Sequence, residues 1–250
     1  MRNNIAIIFA GGIGQRMNSG SDSTPKQFLK VFNKPVIVYT LELFQANANI
    51  DKIYIAIVES HLDYMKELVD YYHLTKVAGV IPGGSSSQDS IYRALKLAES
   101  ENSSDSLVLI HDGVRPNITQ EVIDLNIANA VEKGSAITCT SAFETILISE
   151  NGAVPDQVPY RRHTFAAQAP QTFPLGKIIE AHEIERKTNP GYVDIVDSCT
   201  MMTKQGKPCS MIAGNRGNIK ITTIEDLYIL RALITCREDM HAFGINGVGK

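Results

Sequence analysis

Short apolar runs alternate along the first half of the chain with longer stretches whose apolar residues recur every three or four positions. Residues 4–9 (NIAIIF) form a compact apolar run that stops at Ala10-Gly11-Gly12, the pattern of a strand buried on both faces. Residues 52–58 (KIYIAIV), 75–81 and 106–110 (SLVLI) repeat it. Between them Ile37, Leu41 and Phe44 mark one helix, and Leu62, Met65, Leu68, Val69 and Tyr72 a second. Residues 87–99 carry Ile91, Leu95 and Ala98 on a third. Thr119 is a suitable N-cap for a fourth, with Ile123, Ile127, Ala130 and Val131 on its apolar side. Strands alternating with helices of this length predict right-handed βαβ crossovers, hence an α/β fold with a mostly parallel sheet and flanking helices.

The rhythm changes after residues 135–140. Residues 145–148, the dipeptide Asn151-Gly152 and residues 154–158 read as a β-hairpin with a tight turn. Such a hairpin has little core of its own, so it must lie on the sheet or on another subunit, and the second is expected. Helical patterns return at about 175–187 and 197–205, followed by strands near 208–213 and 218–221. A last helix starts near Thr222 or Thr223, with Glu225 and Asp226 in its first turn, and extends to about Arg237. These features predict a single domain over residues 1–238, a β-arm over about 142–166 and a loose tail over 239–250.

With 250 residues, 44% of them hydrophobic, the chain is long enough to bury a full core. Its net charge of −3 offers no basic field for nucleic acid or an anionic membrane, so its basic residues read individually, as ligands for small anions. No apolar run approaches the roughly 20 residues that span a bilayer. The opening MRNNIAIIFAGG suits a first strand better than a signal peptide. Cys139, Cys199, Cys209 and Cys236 form no CxxC pair and have no His at metal-ligand spacing, which points to free thiols in a reducing cytoplasm.

Three clusters carry candidate chemistry. Ala10-Gly11-Gly12-Ile13-Gly14-Gln15-Arg16-Met17 follows the first strand, at the edge of an open sheet where ligands bind. Glycines let backbone N–H groups approach phosphate oxygens, and Arg16 adds a fixed cation. The loop lacks the Lys-Ser/Thr pair of a P-loop, and Glu59 at the end of the second strand lies too far on for the dinucleotide fingerprint. The alternative is a tight strand-to-helix turn. Pro25-Lys26-Gln27 follows a polar stretch (residues 18–24) that lets Lys26 swing back over the same phosphates; two such cations stabilise charge at an α-phosphorus under attack. His111-Asp112-Gly113-Val114-Arg115-Pro116 ends the fourth strand. Asp112 is placed to hold Mg²⁺ between phosphates, or alternatively to cap a turn and pair with Arg115. His111 reads as a hydrogen-bonded edge residue.

Taken in order, Phe9-Ala10-Gly11-Gly12-x-Gly14-x-Arg16-Met17, Pro25-Lys26-Gln27, Gly83-Gly84 with Asp89-Ser90, His111-Asp112-x-x-Arg115-Pro116, Pro170-Gln171-x-Phe173 and Asn218-Ile219-Lys220-Ile221-Thr222 resemble one family. It is the cytidylyltransferase family of ribitol-5-phosphate and methylerythritol-phosphate cytidylyltransferases, and the resemblance spans roughly residues 4 to 235. It implies a Rossmann-like fold of the nucleotide-diphospho-sugar transferase type, with the hairpin as a dimerisation arm. It implies that Phe9, Ala10, Gly11, Gly12 and Gly14 bind CTP, with the loop of Gly83 and Gly84 and the region of Asp89 and Ser90 reading cytosine and ribose. Arg16 and Lys26 would stabilise the pentacovalent transition state, and Asp112 would assist Mg²⁺ or another divalent cation. Arg115, Thr145, Arg161 and Lys220 would hold the acceptor phosphate, with Thr145 and Arg161 delivered by the arm into a neighbouring subunit of a homodimer. No protein nucleophile is needed, because the acceptor phosphate is already anionic.

The chain departs from the family pattern in places. Ser85-Ser86-Ser87-Gln88 stands where relatives often have an Arg or an acid, and Val196 replaces a Thr or Ser before Asp197. Residues 18–24 make a somewhat long loop, and Arg162 neighbours Arg161, which the spacing favours. Ala-Gly-Gly-Ile-Gly and Asp-Gly-Val-Arg lean towards the ribitol-phosphate type, so D-ribitol 5-phosphate is the expected acceptor, in a cytoplasmic step of surface-polysaccharide synthesis. The rivals are methylerythritol-phosphate cytidylyltransferase and, from another class, a non-catalytic nucleotide-binding module.

Overall fold

A computed structural model describes residues 2–11 and 24–243. Its strands are β1 (Asn4–Ala10), β2 (Lys30–Val31), β3 (Lys34–Pro35), β4 (Lys52–Ile57), β5 (Val77–Pro82), β6 (Leu107–Asp112), β7 (Ala136–Ser141), β8 (Phe165–Pro174) and β9 (Met211–Ala213). Its helices are α1 (Val36–Ala46), α2 (Leu62–Tyr71), α3 (Ser87–Glu101), α4 (Gln120–Lys133), α5 (Leu175–Thr188), α6 (Ser198–Lys204) and α7 (Ile224–Phe243). Seven strands form one sheet in the order β5-β4-β1-β6-β8-β7-β9. The first four run parallel, β8 runs antiparallel between β6 and β7, and β9 is parallel to β7.

Strand periodicity explains the layers. Along β1, Ile5 and Ile7 face a core shared with α3, α5 and α6, while Ala6, Ile8 and Ala10 face a second core shared with α1, α2 and α4. That is why the run reads as continuously apolar. A smaller cluster joins Val31, Val36 and Val114 to Ile221 and Leu230 of the chain's last segment. Register then fixes the functional edge: Phe9 pairs with Asp112 and Ala10 with Ile57, so β1, β4 and β6 end together.

Three expectations are corrected, and one strand is found that the pattern does not predict. Residues 218–221 are not a strand: Asn218 N–H bonds to Asn215 O and Ile219 N–H to Gly217 O, so local turns take the groups a ladder would need. The expected hairpin is reduced to a single antiparallel bridge, Ile148 to Gln157. There Asn151 Oδ1 accepts the amides of Ala153 and Val154, and Asp156 accepts that of Glu150, so side chains replace ladder partners. The last helix continues past Arg237 to Phe243, into the stretch expected to be tail. Strand β8 gives no strand signal in the sequence because it contains Pro170, and a proline demotes a run that otherwise looks like a strand.

Two histidines are buried in these layers. His182 of α5 meets the Tyr192 hydroxyl through Nδ1 at 2.9 Å, and His111 of β6 packs its ring 5.0 Å from that of Phe44. Burial pushes His182 down to about 3 and His111 to about 4. A histidine depressed in the folded state stabilises the fold above its unfolded value, and that contribution is lost as pH falls. Unfolding free energy from urea titrations should therefore decline between about pH 6.5 and pH 4, and His182→Gln should flatten that slope. A slope unchanged by the substitution would exclude His182 as its source.

Candidate active site

Where β1, β4 and β6 end, backbone atoms come unusually close. Gly83 N–H bonds to Ile57 O at 2.6 Å, Gly113 N–H to Phe9 O at 2.9 Å, and the Gln27 side-chain amide donates to Ala10 O at 2.8 Å. A Cβ built on Gly11 would lie 2.8 Å from Ser90 Oγ, and one on Gly83 2.9 Å from the same atom. Glycine is required at both positions by this close approach. Ser90, itself buried, accepts Gly84 N–H at 2.9 Å and donates to Ser86 O at 2.9 Å. Gln27 thereby ties the turn containing Lys26 to the end of β1.

The charged part of the site is built on Asp112, the last residue of β6. Arg115, one turn later, donates Nε–H to Asp112 Oδ2 at 2.7 Å, and Lys220 Nζ lies 2.6 Å from Oδ1. Burial alone would raise the Asp112 carboxyl, but Lys220 and then Arg115 override it and hold it at about 2. Arg115 is itself fixed by a 2.9 Å bond from its guanidinium to Asn218 O, and Asn218 by its side-chain bond to Ala169 O at 2.7 Å. His111 Nε2 contacts Arg115 O at 3.2 Å; a carbonyl only accepts, so Nε2 carries the proton.

These groups open onto a cavity of about 220 Å³. Asp112, Arg115 and Lys220 line one side, Gln168 and Gln171 the sheet, and Ser87, Gln88 and Asp197 the helical side. Asp197 is occupied structurally: Oδ1 accepts Thr200 N–H at 2.7 Å, and Oδ2 accepts the Gln171 amide at 2.8 Å.

The structure thus gathers Phe9, Ala10, Gly11, Lys26, Gly83, Gly84, Asp89, Ser90, Asp112, Arg115 and Lys220 along one edge of the sheet. Gly12, Gly14 and Arg16 lie outside the described residues. Thr145 and Arg161 are exposed on the arm and do not line the cavity of their own chain. Asp112 was expected as a Mg²⁺ ligand, yet cations of the chain hold both its oxygens, so the alternative pairing with Arg115 is present and Lys220 adds a second partner. No cluster of three His, Cys, Asp or Glu suited to a metal exists among the described residues.

The family model for IspD, 2-C-methyl-D-erythritol 4-phosphate cytidylyltransferase, matches residues 4–236. The chain belongs to this cytidylyltransferase family. Among its relatives, the ribitol-5-phosphate cytidylyltransferase of Vibrio parahaemolyticus serotype O3:K6 is 43% identical over 241 residues, covering 96% of this chain and 100% of that protein. The 2-C-methyl-D-erythritol 4-phosphate cytidylyltransferase of Clostridium botulinum (strain Loch Maree / Type A3) is 36% identical over 229 residues, covering 92% and 96%. The solved 4-diphosphocytidyl-2C-methyl-D-erythritol synthase of Anaerococcus prevotii DSM 20548 superposes with a TM-score of 0.77 at 27% identity, over 94% of this chain and 96% of that one.

The family is one of nucleotidyltransferases, and the structure brings to the edge cluster residues that the motifs do not contain. Arg93 and Arg186 reach the Gly83-Gly84 loop from outside any motif, by ion pairs to Asp89. Gln88 and Gln168 line the cavity without having been singled out for it. Arg186 sits in a helix with no local signature; only a fold places it there.

The ion cluster makes a prediction of its own. A carboxylate depressed to about 2 stabilises the fold above its ordinary value and loses that contribution as pH falls. Wild-type protein should lose stability between about pH 4 and pH 2 on this account, whereas Asp112→Asn should lack that step and start about 3 kcal/mol less stable at pH 7, measured by urea denaturation. A variant of wild-type stability would show that the cluster contributes nothing to the fold.

Proposed function

We propose that the protein transfers CMP from CTP to D-ribitol 5-phosphate, giving CDP-ribitol and pyrophosphate. The observation that carries the reading is the fixed cluster of Asp112, Arg115 and Lys220 at the cavity, beside a glycine-lined sheet edge. A phosphate monoester needs cations held in place before it arrives, and these are. The 43% identity to a ribitol-5-phosphate cytidylyltransferase, against 36% to a methylerythritol-phosphate enzyme, favours the ribitol acceptor.

In this mechanism an acceptor phosphate oxygen attacks the α-phosphorus of CTP in line. A new P–O–P linkage forms, the bond between the α-phosphorus and the bridging oxygen to the β-phosphate breaks, and pyrophosphate leaves with that electron pair. Arg115 and Lys220 orient the acceptor phosphate, and Asp112 holds both cations in register. Lys26 and Arg16 are read as the cations that stabilise the crowded α-phosphoryl group. The divalent cation fits in one way only. Mg²⁺ commonly takes one carboxylate and completes its shell from phosphates and water, and Asp112 offers a single carboxylate already shared with two cations. When bound, the ion would neutralise triphosphate charge.

Dimerisation through the arm is part of the same proposal. Leu147, Val154, Val158 and Tyr160 are each about 60% exposed there, and Arg161 follows directly. A subunit covering them would bring Thr145 and Arg161 to its own cavity. Cysteines without disulfide partners at Cys139, Cys199 and Cys209 suit a reducing cytoplasm.

Purified protein with CTP and a panel of polyol phosphates should release pyrophosphate fastest with D-ribitol 5-phosphate; turnover confined to 2-C-methyl-D-erythritol 4-phosphate would overturn the acceptor. Lys26→Ala should lower kcat by about 10²–10³ while leaving the KM for CTP nearly unchanged, because its interaction matters mainly in the transition state. An equal loss in both would remove Lys26 from that role.

A further inference from the structure

Cys199 and Cys209 stand ten positions apart in the chain, and the end of α6 brings them together. The helix stops at Lys204, and the chain reverses through Gly206, whose φ of +69° suits glycine. Gly206 N–H bonds to Thr203 O and Lys207 N–H to Met202 O, each at 2.9 Å, the double closure of a helix end. Ser210 then ties the returning chain to the start of β7. Its N–H bonds to Ser135 Oγ at 3.0 Å, and its O accepts Ile137 N–H at 2.8 Å. Held between these two closures, Cys209 sets its thiol against that of Cys199 and hydrogen-bonds to it. Both side chains pack on the same core cluster yet stay only half-buried, within reach of a small reagent.

The contact makes the two thiols unequal. The hydrogen bond from Cys209 brings the Cys199 thiol down to about 7, against the opposing effect of burial. The same bond, and then burial, pushes the Cys209 thiol up. Cys199 is thus the nucleophile of the pair and Cys209 its proton-bearing neighbour. Cys139 is buried in β7, and its thiol is directed to Ile212 O at 3.4 Å.

The pair also adjoins the cavity. Cys199 N–H donates to Gln171 Oε1 at 2.9 Å, and the Gln171 amide donates to Asp197 Oδ2 at 2.8 Å. Gln171, Asp197 and Ser198 all line the cavity. A covalent bond draws two sulfurs closer than a hydrogen bond leaves them, so closing it must move Cys199 and the wall it holds.

We propose that Cys199 and Cys209 form a modification site, a thiol pair that a small disulfide oxidant converts to an intramolecular disulfide, distorting the cavity wall and lowering turnover. The Cys199 thiolate attacks one sulfur of the oxidant; a mixed disulfide forms, the oxidant's S–S bond breaks and one thiolate leaves. Cys209 then attacks the Cys199 sulfur, the protein disulfide forms, and the second thiol leaves with the Cys209 proton. Two electrons pass from the pair to the oxidant. The effect on turnover rests on the cytidylyl-transfer reading above; the disulfide itself does not.

Incubation with oxidised glutathione, followed by alkylation, trypsin digestion and mass spectrometry, tests the pair. In wild type and Cys139→Ser, residues 188–204 should be recovered linked to residues 205–216, and dithiothreitol should separate them. Cys209→Ser should stop at the mixed disulfide, with glutathione retained on Cys199. Turnover of CTP with D-ribitol 5-phosphate should fall at least about tenfold in the oxidised wild type, the scale expected of a displaced site wall, and return on reduction. Cys199→Ser should keep its turnover through the same treatment. Recovery of the two cysteines in separate peptides from wild type, or a bond from Cys199 to Cys139 instead, would overturn the pair. A linked pair with unchanged turnover would overturn its hold on the cavity. Wild type that turns over no polyol phosphate would overturn the cytidylyl-transfer reading, while the linked peptides would still decide the modification site.

Discussion

Keeping one buried carboxylate ionised organises the functional edge of this protein. Asp112 ends a strand that is buried along its whole length, where an isolated charge would be prohibitive. Its two compensating cations come from different parts of the chain: Arg115 from the next turn, Lys220 from a segment that follows the last short strand. Lys220 reaches Asp112 only if that segment is pinned. Asn218 anchors it to Ala169 and receives Arg115, Ile221 N–H bonds to Val114 O, and Ile221 packs with Val114 and Leu230. The ion cluster therefore ties β6, β8 and α7 into one arrangement, and the cations that line the cavity are held in place by the fold itself.

A different economy governs the neighbouring glycine edge. There the β1 and β5 ends approach so closely that Gly11 and Gly83 share Ser90 as a neighbour, leaving room for backbone and a single hydroxyl. Charge cannot be placed inside so narrow a space, and it arrives from the flanking helices instead. Asp89 connects the two regimes: it is buried at the start of α3, bonded to backbone on one side and to guanidinium groups on the other. Burial would raise its carboxyl, but Arg186, the Ser85 amide and Arg93 bring it below the usual range.

Much of this was legible in the chain, and the reasons are physical. Parallel strands buried on both faces give continuous apolar runs, so β1, β4 and β6 could be placed within a residue or two. Helix caps were equally local, as with Thr119 accepting Val122 N–H. What resisted reading was set by distant contacts. Strand β8 is antiparallel and carries Pro170, residues 218–221 spend their backbone in turns, and the partners of Asp89 and Asp112 on α5 and beyond α6 are neighbours only in three dimensions. Local patterns report propensity; ion pairs report topology.

The arm is the instructive failure. Its alternating apolar residues and Asn-Gly dipeptide are real hairpin signals, and Gly152 does take a positive φ of +71°, but the amides around it go to the side chains of Ser149 and Asn151. Yet two short strands on their own bury too little to hold a ladder. Within one chain Leu147, Val154 and Val158 meet solvent, so Ser149, Asn151 and Asp156 capture the backbone with their side chains instead. Apolar alternation encodes a face to be covered without naming the cover. A stretch that keeps such a face beside Arg161 leaves it exposed among the described residues rather than extending the sheet from which it departs.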